Sequence, residues 1–237
     1  GVFGKWCRPN YNSVVATYCH NIANDIPIKI DDPDASVSLV YIDDVIDEFI
    51  SRLGSVEKGV SYKDINPQYS IKLKELAENI YSIKEKRESF MTGRVGGGFG
   101  RCLYATFLSY IKKEKFNYDL PKNEDQRGTF VEMLKTEDSG QISYFTVKPN
   151  VTRGGHYHHT KVEKFLIVQG DAKFTFKNIL TGETHEIVAS SKNPEIVETV
   201  PGWAHKVKNV GAGMLIAIIW ANENFNINNP DTFNYKF

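Results

Sequence analysis

Residues 153–170 read RGGHYHHTKVEKFLIVQG. The chain has six histidines, and three of them, His156, His158 and His159, fall in this one stretch. The run FLIVQG that follows is apolar and β-branched, the composition of a strand. In a strand, residues two apart face the same way. His156 and His158 therefore present both imidazoles on one face, with Tyr157 and His159 on the other. Glu163 comes five positions after His158, enough for a tight turn back into the next strand. Far downstream, His205 sits in VPGWAHKVKN. Three imidazoles and a carboxylate are a good set for a divalent first-row metal, with room for water or substrate beside it. His20 and His185 have no such company and read as solvated or hydrogen-bonded side chains.

The chain of 237 residues is 41% hydrophobic and 24% charged, an ordinary globular balance. Lysine plus arginine equal aspartate plus glutamate, so the formal net charge is zero and the charges are interspersed. That excludes the basic footprint of a nucleic-acid binder. Cys7, Cys19 and Cys102 are odd in number and widely spaced, which points to reduced thiols in a cytoplasmic protein. No run of apolar residues has the length of a membrane span. The opening GVFGKWCRPNY reads as the interior of a domain.

Two periodicities divide the sequence. Residues 1–115 carry mainly helical spacing. YNSVVATYCHNIAND places Val14, Val15, Tyr18, Cys19 and Ile22 on one face, with Asn12 or Ser13 as the cap. A short strand is expected at Ile28–Ile30. VSLVYIDDVIDEFISRL moves from a strand into an Asp-capped helix with Val45, Ile46, Phe49, Ile50 and Leu53 on its apolar face. Further helices are expected from Ser70 and over RCLYATFLSYIKK. After KKEKFNYDLPKNEDQRG, a charged boundary, eight short strand-like segments follow, the pattern of a β-sandwich or barrel.

The spacing H-x-H, four residues, E, six residues, G, with a downstream P-G-x-x-H-x-x-x-N, resembles the two signature motifs of the cupin superfamily. Asn150 stands where those motifs carry a glycine, and Pro201 and Gly202 are adjacent rather than separated. Neither change removes a donor atom. Upstream, VFGKW and the segment SVVATYCHNIANDIPIKIDDPDASVSLVYIDDVIDEFI resemble the C-terminal half of extended short-chain dehydrogenases acting on nucleotide sugars. The combination resembles the CapF-type bifunctional enzymes of capsular polysaccharide synthesis along essentially the whole chain. The resemblance implies an α+β multidomain protein. Residues 1–115 would be the helical C-terminal portion of an extended dehydrogenase (a truncated Rossmann domain), and residues 120–237 a cupin jelly-roll barrel. It further implies a zinc site at His156, His158, Glu163 and His205, and a homodimer. The substrate would be a UDP-2-acetamido-2,6-dideoxy-4-hexulose, epimerised at carbon 3 and then reduced at carbon 4 with NADPH, on the route to UDP-N-acetyl-L-fucosamine.

The NADPH-binding glycines and catalytic Tyr/Lys pair of such enzymes precede the VFG segment, so this chain carries no cofactor-binding residues for NADPH. GRVGGGF departs from the nucleotide-binding fingerprint and reads as a linker or close-packed turn. YFTVK, Tyr144 to Lys148, has the right letters, but in a strand the two side chains are not one helical turn apart. For the epimerisation, Tyr144 and Lys148 are candidate acid and base sharing a strand face. DQRGTFVEML resembles the RG-x-F-x-E strand of dTDP-sugar epimerases, which implies Arg127 for the diphosphate and Glu132 for positioning. Arg153 is a second phosphate candidate because guanidinium forks suit phosphate oxygens. The reading from another class makes the β region a metal-stabilised dimerisation module without catalysis.

Overall fold

A computed structural model of the chain describes residues 1–54 and 59–237. It divides into two compact units, Gly1–Tyr118 and Asp119–Phe237. Among the described residues no helix is long and apolar enough to cross a membrane.

The first unit runs β1 (Val2–Phe3), α1 (Val14–Ala23), β2 (Ser36–Tyr41), α2 (Ile42–Arg52), β3 (Tyr69–Lys72), α3 (Leu73–Glu88), β4 (Met91–Thr92) and α4 (Gly98–Leu108), then a 3₁₀ turn at Lys113–Lys115. β1 lies parallel to β2, and β3 lies antiparallel on the other side of β2. Helix α1 forms where the spacing predicts it, and Ser13 is the cap: its hydroxyl accepts from the Ala16 amide. Val15, Cys19 and Ile22 meet Leu76, Ile80 and Phe107 in one core.

Three sequence expectations change here. Ile28–Ile30 is not a strand; it lies between Pro27 and Pro33, and both isoleucines pack partly buried on the helical core. Ser70–Lys72 pairs with Ser36–Ser38 as strand, so α3 begins only at Leu73. Helix α2 has Tyr41, not an aspartate, at its cap position; Asp43 and Asp44 sit in the first turn, where the helix dipole favours negative charge. Of its apolar residues only Val45 is buried, and Ile46, Phe49, Ile50 and Leu53 are exposed.

The second unit is all-β: β5 (Lys122–Asp125), β6 (Gly128–Thr136), β7 (Gln141–Val147), β8 (Thr152–Tyr157), β9 (Glu163–Gln169), β10 (Asp171–Asn178), β11 (Thr184–Ser190), β12 (Ile196–Glu198), β13 (Trp203–Asn209), β14 (Leu215–Ala221) and β15 (Phe233–Asn234). They form two separate antiparallel ladders, β12-β9-β14-β7-β6-β5 and β11-β10-β13-β8-β15. The result is an open jelly-roll sandwich rather than a continuous barrel. β5 falls inside the charged stretch that the sequence marked as a boundary; its Lys122 and Asn123 pair with Val131 and Phe130.

Burial alternates strictly along β7 and nearly so along β14, so one side of each strand faces the other ladder. Paired residues share a face, which sorts the inner surface into rows. Glu163, Ala221 and Gln141 make one row, and Phe165, Ile219, Ser143 and Glu132 the next. Ile167, Ala217, Phe145 and Phe130 make the third, which is apolar. Phe174 and Phe176 of β10 close the core from the opposite ladder. Polar residues thus occupy one end of the interior and hydrocarbon the other.

Two glycine features hold this arrangement. Gly140 takes φ +73 at the β6–β7 turn, and a Cβ there would lie 1.7 Å from the Ala221 carbonyl oxygen. In β8, Gly155 (φ +88) has no partner across the ladder: His156 pairs with His205, but Gly154 already pairs with Lys206. This bulge puts Arg153 and His156, three apart in sequence, on the same inward side, since their partners Val207 and His205 are both buried.

Phe174 is 1% exposed and Val188, on the neighbouring strand, 67% exposed. Phe174→Ala should therefore cost about 3–5 kcal/mol of stability in chemical denaturation. Val188→Ala should cost under about 1 kcal/mol. Equal losses would contradict this assignment of the core.

Candidate metal centre

The polar end of the interior collects the histidine motif. His156 is the penultimate residue of β8, His158 follows the strand directly, Glu163 opens β9 and His205 lies on β13 directly across from His156. Their donor atoms all lie within 4.8 Å of one another. The imidazole centroids are 5.0 Å (His156–His158), 4.7 Å (His156–His205) and 5.1 Å (His158–His205) apart. Glu163 Oε2 is 3.2 Å from His205 Nε2 and 3.5 Å from His158 Nε2. Ligand atoms sharing a tetrahedral ion at 2.0–2.2 Å stand about 3.4 Å apart, so this spacing fits a divalent cation.

The side chains are removed from water: His158 is 1%, His205 4% and Glu163 7% exposed. His158 Nε2 is buried without a hydrogen-bond partner. A buried, unpartnered nitrogen aimed at a carboxylate and two imidazoles holds a lone pair in need of a Lewis acid, which a cation supplies. The other ring nitrogens are fixed from behind. His158 Nδ1 donates to the Asp231 carbonyl at 2.5 Å and His205 Nδ1 to the Trp203 carbonyl at 3.4 Å. A carbonyl only accepts, so both rings carry hydrogen on Nδ1 and turn Nε2 to the centre.

Electrostatics favour the metal-ready protonation states. Burial, with His205 close by, lowers the His156 pKa from 6.5 to about 4. Burial alone would raise the Glu163 carboxyl, but the imidazoles of His158 and His205 and the ammonium of Lys161 hold it below the usual range. Glu163 is thus a carboxylate and His156 a neutral imidazole at physiological pH.

A cavity of about 310 Å³ opens beside Glu163, walled by Glu132, Gln141, Ser143, Lys161 and Phe225 among others. Glu132, on the row next to Glu163, is paired with Lys135 at 2.5 Å. Lys161 is 8% exposed, its Nζ 3.6 Å from Glu163 Oε1. Tyr144 and Lys148 are not brought here. Tyr144 alternates with the buried Ser143 and Phe145 and so faces outward, and Lys148 lies exposed beyond the end of β7. Arg127 and Arg153 converge on Asp125, at 2.5 and 3.4 Å. Asp125 is two residues along β5 from Asn123, a cavity residue. The Arg127 guanidinium holds the Asp125 carboxyl well below its ordinary range.

The sequence reading missed Lys161, Gln141, Ser143 and Asp231. Lys161 was legible by counting back two from Glu163. Gln141 and Ser143 required the register of β7 against β14. Asp231 lies in a tail without periodicity and gave no signal.

Residues 123–233 match the family model of the polysaccharide biosynthesis C-terminal domain. Over 233 residues, 98% of its length, the chain is 54% identical to a UDP-2-acetamido-2,6-beta-L-arabino-hexul-4-ose reductase of Pseudomonas aeruginosa, strain PA103. It spans 62% of that curated relative's length. Two crystal structures of the capsular polysaccharide assembling protein CapF from Staphylococcus aureus superpose on all of this chain with a TM-score of 0.91 at 37% identity. The chain covers 69% and 64% of those two structures. A CapF structure with the inhibitor 3-isopropenyl-tropolone gives a TM-score of 0.90 at the same identity.

Because the folded chain holds His156 and Glu163 below their ordinary values, the unfolded chain binds more protons as pH falls from 6.5 towards 4. For chelator-treated protein, the melting temperature should be highest above pH 6.5 and fall through this window. His156→Asn should flatten the upper part of the fall. A wild-type profile flat across the window would contradict the neutral-imidazole assignment.

Proposed function

The chain belongs to the CapF family, and from that membership we propose that its β unit epimerises carbon 3 of a UDP-2-acetamido-2,6-dideoxy-4-hexulose in the cavity beside Glu163. The broader reading is a nucleotide-sugar enzyme of capsular polysaccharide synthesis. Residues 1–115 are then part of a reductase domain that reduces the 4-keto group to a hydroxyl with NADPH in the whole protein. The observation carrying the epimerase reading is the convergence of His156, His158 and His205 on Glu163, which itself lines a cavity together with Glu132 and Lys161.

Epimerisation beside a ketone removes the carbon-3 proton, spreads charge onto the carbon-4 oxygen, and returns a proton to the opposite face. A cation at the four donors, zinc in this reading, supplies positive charge for that oxygen. Lys161, buried at the cavity wall, adds a preorganised ammonium of the same sign. Glu132 is the carboxylate in the cavity outside the ligand set that Lys135 orients, and it is our candidate for taking the proton. Arg127 and Arg153, gathered at Asp125, are the candidates for the diphosphate. Tyr144 and Lys148 have no part in this reading, because neither borders the cavity.

The second reading, a metal-stabilised dimerisation module, has its own support. The outer face of the β9–β14 ladder carries Ile196, Leu166 and Ile218 side by side, with Ile196 58% and Ile218 37% exposed.

The assay is deuterium incorporation at carbon 3 of the 4-keto sugar in D₂O by the metal-loaded chain. Glu132→Gln should lower exchange about 10²–10⁴-fold with metal content unchanged. His158→Ala should lose both metal and exchange while the oligomeric state persists. No exchange by folded, metal-loaded wild type would overturn the epimerase reading. Dissociation of the His158→Ala protein to monomers would support the dimerisation module.

A further inference from the structure

The segment after β14 returns across the mouth of β8, and its Asp231 makes an unusual number of contacts there. The Asp231 carboxylate accepts from three successive main-chain amides, His159 at 2.9 Å, Thr160 at 2.7 Å and Lys161 at 2.8 Å, and from the Thr160 hydroxyl at 2.9 Å. Three consecutive N–H groups around one anion form a nest. The same residue's carbonyl accepts from His158 Nδ1. One residue on, the Thr232 hydroxyl lies 3.1 Å from Lys161 Nζ. β15 then pairs with His156 and Tyr157, and Phe233 stacks on Tyr157 at 5.4 Å.

We propose that Asp231 is a positioning residue for the metal centre. Its carboxylate gathers the turn 159–161, which places its carbonyl against His158 Nδ1, fixes that ring as the Nδ1–H tautomer and points the buried, unpartnered Nε2 at Glu163. The same grip sets Lys161 at the cavity wall. Side chain and carbonyl act together: with the carboxylate gone, the turn loses its anchor and the carbonyl its place opposite the ring. This inference rests on the metal reading of the cluster.

The test is zinc affinity of the full chain, by competition with a chromophoric chelator, for wild type, Asp231→Ala, Asp231→Asn and His158→Ala. Asp231→Ala should bind zinc about 10–100-fold more weakly, the usual effect of removing a group that orients a ligand. Asp231→Asn keeps one acceptor oxygen for the nest and should fall between Asp231→Ala and wild type. It also serves if the alanine variant fails to fold. ¹⁵N spectra of the imidazoles in chelated protein give a readout free of metal: His158 should be locked as Nδ1–H in wild type and a tautomer mixture in the Asp231 variants. If wild type binds no zinc, the metal reading fails, and the tautomer spectra still decide the role of Asp231. Wild-type zinc affinity and a locked His158 in the Asp231 variants, with only a lower melting temperature, would overturn the proposal.

Discussion

The second unit depends on a carboxylate withdrawn from bulk solvent. Glu163 sits inside the sandwich, and an isolated buried carboxylate is costly enough that it would normally protonate. Here three imidazoles and the Lys161 ammonium surround it, and its own amide donates at 2.8 Å to the Thr199 hydroxyl. The neighbouring rows of the same face are increasingly apolar, ending in Ile167, Ala217, Phe145 and Phe130. That gradient keeps the charge at one end of the interior, where the cavity opens, and leaves the other end as a conventional core.

The backbone reaches this arrangement through irregularities in otherwise plain antiparallel ladders. The extra residue at Gly155 turns Arg153 inward alongside His156, so one strand contributes both a candidate phosphate contact and a candidate metal ligand. A second shift, between Glu132 and Leu134, sets Lys135 opposite the buried Gln141, on the face shared by Glu132, the carboxylate it pairs with. Each bulge re-aims a side chain beside the site, which is where bulges concentrate in sheets.

Much of this was legible from residues. His156, His158 and Glu163 could be grouped because two-residue alternation and a following turn are local rules, and His205 joined them through the resemblance of its segment to the second cupin motif. Helix α1 was legible down to its two candidate caps by local rules as well. What could not be read depends on partners distant in sequence. Strand β5 looked like a charged linker because its side chains are solvated; only its hydrogen bonds to β6 make it strand. Tyr144 and Lys148 looked like partners because the alternation is correct, but which side of β7 faces inward is set by pairing with β14. The apolar stripe of α2 showed the opposite limit: Phe49 and Ile50 have helical spacing, yet the described unit leaves them exposed.

The separation in sequence of the groups around the centre also bears on how it is built. His156, His158 and Glu163 lie within eight residues and come together as soon as β8 and β9 turn on each other. His205 arrives only after a loop of 42 residues closes, and the Asp231 carbonyl only after one of 73. Closing such loops costs entropy and comes late in folding. A half-assembled chain therefore offers a loose three-donor grip, and the full grip belongs to the finished sandwich. Retention of a cation against a competing chelator would then act as a quality-control mark, separating molecules whose tail has docked from those still open.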